Sequence, residues 1–113
     1  LKYGDYISLT KAWSGYINDL IPDNLLDNRS ILLEKIKRAE LLGAEVSVVR
    51  ADAPSMIGLQ GIIIERSART IRIICSDGRI RRLPLTAGLT LQMTIHKSSI
   101  LLEGRILVDL TKK

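Results

Sequence analysis

The stretch Leu42-Gly43-Ala44-Glu45-Val46-Ser47-Val48-Val49 followed by Pro54-Ser55-Met56-Ile57-Gly58-Leu59-Gln60-Gly61-Ile62-Ile63-Ile64-Glu65 decides the fold. It reads as a short strand, a loop and a second strand that bends hard at two glycines. A strand takes glycine where φ must be positive or where two backbones approach closely. Gly58 and Gly61, set beside a β-branched run, predict the sharp curl of a small closed barrel. They and Gly78 are the expected structural glycines.

Working outward from this stretch, the period of the apolar residues changes at Gly43. Before it the spacing is helical. Leu9, Trp13, Tyr16, Ile17 and Leu20 form one stripe and predict a helix over 8–21, capped by Ser8 or Thr10 and ended by Pro22. A second helix is expected from about Asn28 to Leu42, with Ser30 as its cap, Leu32, Ile36 and Ala39 on its apolar face and Gly43 as its left-handed stop. After Gly43 the period is two, and strands are expected at 44–50, 57–65, 69–76, 79–84, 89–95 and 99–103. Asp77-Gly78 between isoleucine-rich flanks is a hairpin signal, and Pro84 ends its strand. Ser98–Leu107 reads as a final strand followed by one turn of helix. The fold class is therefore mainly β: a strongly bent antiparallel barrel of five to six strands, residues 44–113, behind a two-helix extension, residues 1–43.

Charge and rings are segregated along the chain. The net charge is +5 over 113 residues. Residues 1–43 balance to zero, so the excess lies in 44–113, where eight of the eleven basic residues are arginine. The planar guanidinium fork fits phosphate better than a lysine point charge. Tyr3, Tyr6, Trp13 and Tyr16 are the only aromatic residues, and all precede the basic part. A module that stacks single-stranded bases needs such rings. The basic half is thus expected to grip backbone and shape.

Enzymatic chemistry finds little support. His96 is the sole histidine, has no Cys, Asp or Glu near it in metal-ligand spacing, and reads as a strand-end residue. The carboxylates are scattered singly, there is no phosphate loop or nucleophile motif, and neither a metal nor another cofactor is expected. Cys75 sits in an isoleucine run as a small core residue, and a lone cysteine fits a reducing compartment. No apolar run reaches the ~18 residues of a membrane span. The chain opens on Leu1 rather than Met, which suggests a trimmed N-terminus.

Arginines are the stronger candidates. Arg66, Arg69 and Arg72 precede or enter one strand of the Asp77-Gly78 hairpin, and Arg79, Arg81 and Arg82 occupy the other. Alternation puts Arg79 and Arg81 on one face and Ile80 and Arg82 on the other. Such a cluster neutralises several phosphates and releases counterions; the competing reading is a charged face that keeps a sheet edge soluble. Lys97, Arg105, Lys112 and Lys113 extend the positive charge, and Ser55 is counted with these RNA-contact candidates. The N-terminal stripe Leu9/Trp13/Tyr16/Ile17/Leu20 has two compatible readings, a cover over one barrel opening and a docking surface for a partner protein.

In order and spacing these pieces resemble the Sm-like protein subunit of archaeal and eukaryotic ribonuclease P, the 29-kDa type, which eukaryotes share with RNase MRP. The resemblance is carried by Leu41-Leu42-Gly43, Val46-Ser47-Val48, Pro54 to Gly61, Ile62 to Glu65, Thr70 to Ile73, and Asp77 to Pro84. It covers residues 41–84 well, 8–40 less specifically and 85–113 loosely. Leu85 stands where members often carry lysine, Arg66-Ser67 where an acidic residue and threonine are common, and the family's basic C-terminal helix is barely begun by Lys112-Lys113. The resemblance implies a non-catalytic protein that holds a catalytic RNA for cutting precursor tRNA 5′ leaders or precursor ribosomal RNA. It implies a small zinc-ribbon subunit as partner of the helical stripe, and a nuclear and nucleolar location (cytoplasmic for an archaeal member). The alternatives are a KOW-type ribosome-associated barrel, whose Val-x-Val and Gly-x-x-Gly spacing is similar, a protein-interaction module with merely solubilising arginines, and a hydrolase acting alone. The Pro54-Ser55 lead-in and the paired helices favour the first reading over the KOW type.

Overall fold

A computed structural model describes residues 2–112. Two helices, α1 (Ile7–Leu20) and α2 (Arg29–Arg38), precede six strands: β1 (Glu45–Arg50), β2 (Gln60–Arg66), β3 (Thr70–Cys75), β4 (Ile80–Pro84), β5 (Thr90–Ile95) and β6 (Ser98–Glu103). A 3-10 turn, Gly104–Leu107, follows β6, matching the single helical turn expected there.

Both helix starts differ from the expected caps. A 3-10 turn over Tyr3–Tyr6 runs straight into α1, and Ile7 N–H donates to Gly4 O, so neither Ser8 nor Thr10 is needed as a cap. In α2 the cap is Asn28, whose Oδ1 accepts from Ile31 N at 3.3 Å, rather than Ser30. α2 also ends four residues before the expected Leu42. Ala39 is extended, and α1 holds the next peptide from both sides: Trp13 Nε1 donates to Glu40 O at 2.7 Å, and Glu40 N donates to Tyr16 Oη at 3.0 Å. A peptide bonded that way cannot continue the helical ladder. Gly43 does adopt a left-handed φ of +100°, but it turns the chain into β1 instead of stopping α2.

All strands are antiparallel in one sheet of order β4-β3-β2-β1-β5-β6. Two devices bend it. The register shifts between Val48 and Arg50 and between Ile63 and Glu65, and such irregularities kink and twist the strand that carries them. The glycines supply the rest. Gly58 has φ +91° in the turn before β2, whereas a Cβ on Gly61 would lie 2.6 Å from Ile74 O, so β2 and β3 meet there only because Gly61 has none. Among the described residues the ladder has no β4–β6 pair, yet the chain just past these two edges meets: a Cβ on Gly104 would lie 3.2 Å from Leu85 Cα. The sheet is curled almost shut.

Inside the curl, Val46, Val48, Ile63, Ile71, Ile73, Leu83, Leu91, Met93, Ile100 and Leu102 form one cluster with Trp13, Ile17, Leu32 and Ile36 of the helices. The helical segment and the sheet therefore share a core, and Cys75 belongs to it. On the opposite face Ile62, Ile74 and Ile80 stand in register across β2, β3 and β4, the first two fully buried.

Candidate nucleic-acid interface

The β3–β4 hairpin, with Arg69 just ahead of it, positions five of the ten expected cations. Its turn is set by Gly78 at φ +84° and by Asp77, whose Oδ1 accepts from Arg79 N at 2.9 Å. Register then pairs Ile73 with Arg81 and Arg72 with Arg82. Alternation places Arg72 and Arg82 on one face and Arg79 and Arg81 on the other, so edge strand β4 presents guanidinium groups on both sides. Arg69, Arg79, Arg81 and Arg82 are exposed. Arg72 Nη1 reaches Glu65 Oε2 at 3.3 Å, and Arg79 Nε stands 3.9 Å from Asp77 Oδ2, both pairs open to water and weakly bound. Among the described residues Arg69, Arg81 and Arg82 have no carboxylate within ion-pair distance. The hairpin is thus a dense cationic edge with little internal compensation.

Other expected contacts lie elsewhere. Arg66 is half-buried, and its Nη2 donates to Leu107 O at 2.8 Å and Lys37 O at 3.3 Å, tying the end of α2 to the C-terminal segment. Burial pushes its guanidinium below its ordinary pKa, with Asp109 and Glu40 pulling the other way. Lys112 lines a cleft with Arg66, while exposed Arg105 pairs with Glu103 at 3.0 Å. Lys97 occupies the β5–β6 turn at φ +64°. Its neighbour His96 bonds the end of α1, His96 N donating to Asn18 Oδ1 at 2.9 Å and the ring meeting Ile21 O. Ser55 is exposed in the Pro54–Met56 turn before β2. Lys113 lies outside the described residues.

Among the exposed cations that the sequence reading did not single out are Lys37 and Arg38 in the last turn of α2, and Arg50 at the end of β1. The zero net charge of residues 1–43 hid the first two. The available signal was local, because basic residues crowd the end of α2 while the acidic ones precede it or lie on other segments.

The N-terminal stripe divides. Trp13 and Ile17 are buried in the core, whereas Leu9, Tyr16 and Leu20 remain 40%, 40% and 37% exposed. Tyr16 and Leu20, with Ile31 of α2, line a groove of about 420 Å³ between the helices. Ile31 was not anticipated as part of this surface. Among the described residues no three His, Cys, Asp or Glu side chains gather as metal ligands.

The family model described as ribonuclease P/MRP, subunit p29, matches residues 34–110. The chain is 29% identical over 84 residues to the human ribonuclease P protein subunit p29, covering 74% of this chain and 38% of that one. The bovine p29 subunit is 30% identical over the same shares. A probable ribonuclease P protein subunit 1 of Schizosaccharomyces pombe is 29% identical over 82 residues, 73% of this chain and 36% of that one. The chain thus spans little more than a third of the length of these relatives. Among solved structures, that of Mth11, a homologue of human RNase P protein Rpp29, is 24% identical, covers 67% of this chain and 100% of its own, and superposes with a TM-score of 0.48. With two thirds of its length inside the family model, the chain belongs to the ribonuclease P/MRP subunit p29 family.

Proposed function

We propose that this chain is a non-catalytic RNA-binding subunit whose β3–β4 arginines hold the sugar-phosphate backbone of a ribonuclease P or RNase MRP RNA. The observation that carries this reading is the hairpin edge itself. Arg69, Arg81 and Arg82 have no ion-pair partner among the described residues and no aromatic ring stands beside them in sequence, a composition suited to phosphate rather than bases. The RNA performs the cutting, of precursor tRNA 5′ leaders or precursor ribosomal RNA, and the protein stabilises its fold. Leu9, Tyr16, Leu20 and Ile31 dock a second protein subunit, the small zinc-ribbon protein of the same complex. Read as a eukaryotic member, the chain works in the nucleus and nucleolus.

The test is reconstitution. The purified chain should bind the in vitro transcribed RNA component, cut no precursor tRNA alone, and raise cleavage when added to the RNA with the remaining subunits. Metal-dependent cleavage by the pure chain would overturn the non-catalytic reading.

A further inference from the structure

Away from the hairpin, the end of α2 and the C-terminal segment enclose a cleft of about 550 Å³ lined by Lys37, Arg38, Arg66, Lys112, Glu40 and Asp109. Three hydrogen bonds hold its walls together. Arg66 bonds both Lys37 O and Leu107 O, and Asp109 N donates to Ala68 O at 2.9 Å. The carboxylates are already occupied locally. Asp109 Oδ1 accepts from Thr111 N at 3.0 Å and Thr111 Oγ1 at 2.6 Å, and Glu40 Oε1 accepts from Leu42 N at 3.0 Å. The cations are freer. Among the described residues neither Lys37 nor Lys112 has an ion-pair partner, and Arg38 pairs only with Glu34 in an exposed helix contact. Arg66 Nε is buried with no hydrogen-bond partner, a donor lacking an acceptor.

We propose that this cleft is a second phosphate-binding site, which seats RNA backbone on a part of the protein separate from the β3–β4 hairpin. The inference rests on the RNA-binding reading above and extends it to two footprints. Lys37 supports it further, because it also lines an adjoining cleft with Arg105 and Glu34, so the two clefts share a cation. That pair of clefts suits a repeating anion such as a nucleic-acid backbone better than a single buried carboxylate. No ring lines either cleft, as expected for contacts to phosphate and sugar.

The test compares three double variants of the full chain binding the transcribed RNA component. Lys37→Ala/Lys112→Ala removes two exposed cations of the cleft and leaves the Arg66 struts intact. Lys2→Ala/Lys11→Ala makes the same change in net charge elsewhere, and Arg79→Glu/Arg81→Glu strikes the hairpin. The cleft variant should lose affinity about tenfold at low salt and flatten the salt slope by about 1.5, while the Lys2/Lys11 control stays near the parent. Parental affinity for the cleft variant, with loss in the hairpin variant, overturns the second site and leaves the RNA reading standing. The same outcome with a gain of acidic-peptide binding by the parent would reassign the cleft to a protein partner. Parental affinity in all three overturns both readings.

Discussion

Arg72 of β3 and Arg82 of β4 are direct register partners, two guanidinium groups on one face of the curled sheet. Like charges directly opposite destabilise a strand pair. Glu65 relieves only one side, at 3.3 Å from Arg72. An anion held between them would relieve both, the part proposed above for RNA phosphate.

Arg82→Glu should therefore separate stability from function. It replaces a repulsive cross-strand pair by an attractive one, and should stabilise the fold by roughly 0.5 kcal/mol while weakening RNA binding. Denaturant midpoints and RNA titrations check it together. A variant that loses stability and binds RNA as before contradicts the assignment of this face.

Gly58 and Gly61 should differ in cost. At Gly61 a Cβ would meet backbone, Ile74 O at 2.6 Å, which no rotamer change relieves. Gly61→Ala should cost about 1–3 kcal/mol or more. Gly58→Ala finds nothing within 4 Å and carries only the left-handed backbone penalty, about 1–2 kcal/mol. Urea unfolding of both variants should place Gly61→Ala lower.

Trp13 and Leu20 lie on the same helical stripe yet should fail in different ways. Trp13 is 6% exposed and bonded to Glu40, so Trp13→Ala should remove about 3–5 kcal/mol of stability. Leu20 is 37% exposed and ends α1; Leu20→Lys should cost no more than about 1 kcal/mol of stability and weaken association with the proposed zinc-ribbon partner. Co-purification of that variant with its partner at parental yield counts against the groove as a docking surface.

Cys75 predicts a dependence on pH. Burial raises its thiol pKa, Asp77 adds to the rise and Arg81 opposes it. The folded state then keeps its proton where the unfolded thiol has lost it. This contribution is complete below the ordinary thiol pKa and is lost as pH climbs through the raised value. Stability should fall over that alkaline range, and Cys75→Ala should remove that part of the fall. A thiol reagent at pH 8 should label the native protein slowly and the urea-unfolded protein at once.

Residues acting through local rules were legible in the sequence. Gly58 and Gly61 announced the bend, Asp77-Gly78 the hairpin, and the change of period at Gly43 the step from helix to sheet. What stayed hidden depends on contacts between distant segments. The early end of α2 follows from Trp13 and Tyr16 seizing the Glu40 peptide, partners 27 and 24 residues away. Arg66 looked like a free cation because Leu107, its main acceptor, is 41 residues on. The stripe Leu9–Leu20 gave the correct helix, but which of its side chains face the core depends on how α1 lies against the sheet. The arginine pattern named the hairpin, whereas the cleft at Lys37 requires three segments that meet only in the fold.

Guanidinium groups on the curled sheet are proposed to grip RNA through its phosphates. The salt dependence of RNA affinity measures this most directly. With Arg72, Arg79, Arg81 and Arg82 each meeting one phosphate, the hairpin should contribute about −3 to the slope of log affinity against log salt, and Arg79→Glu/Arg81→Glu should remove about half of that contribution. An affinity indifferent to salt, or a slope unchanged in the double variant, would contradict it.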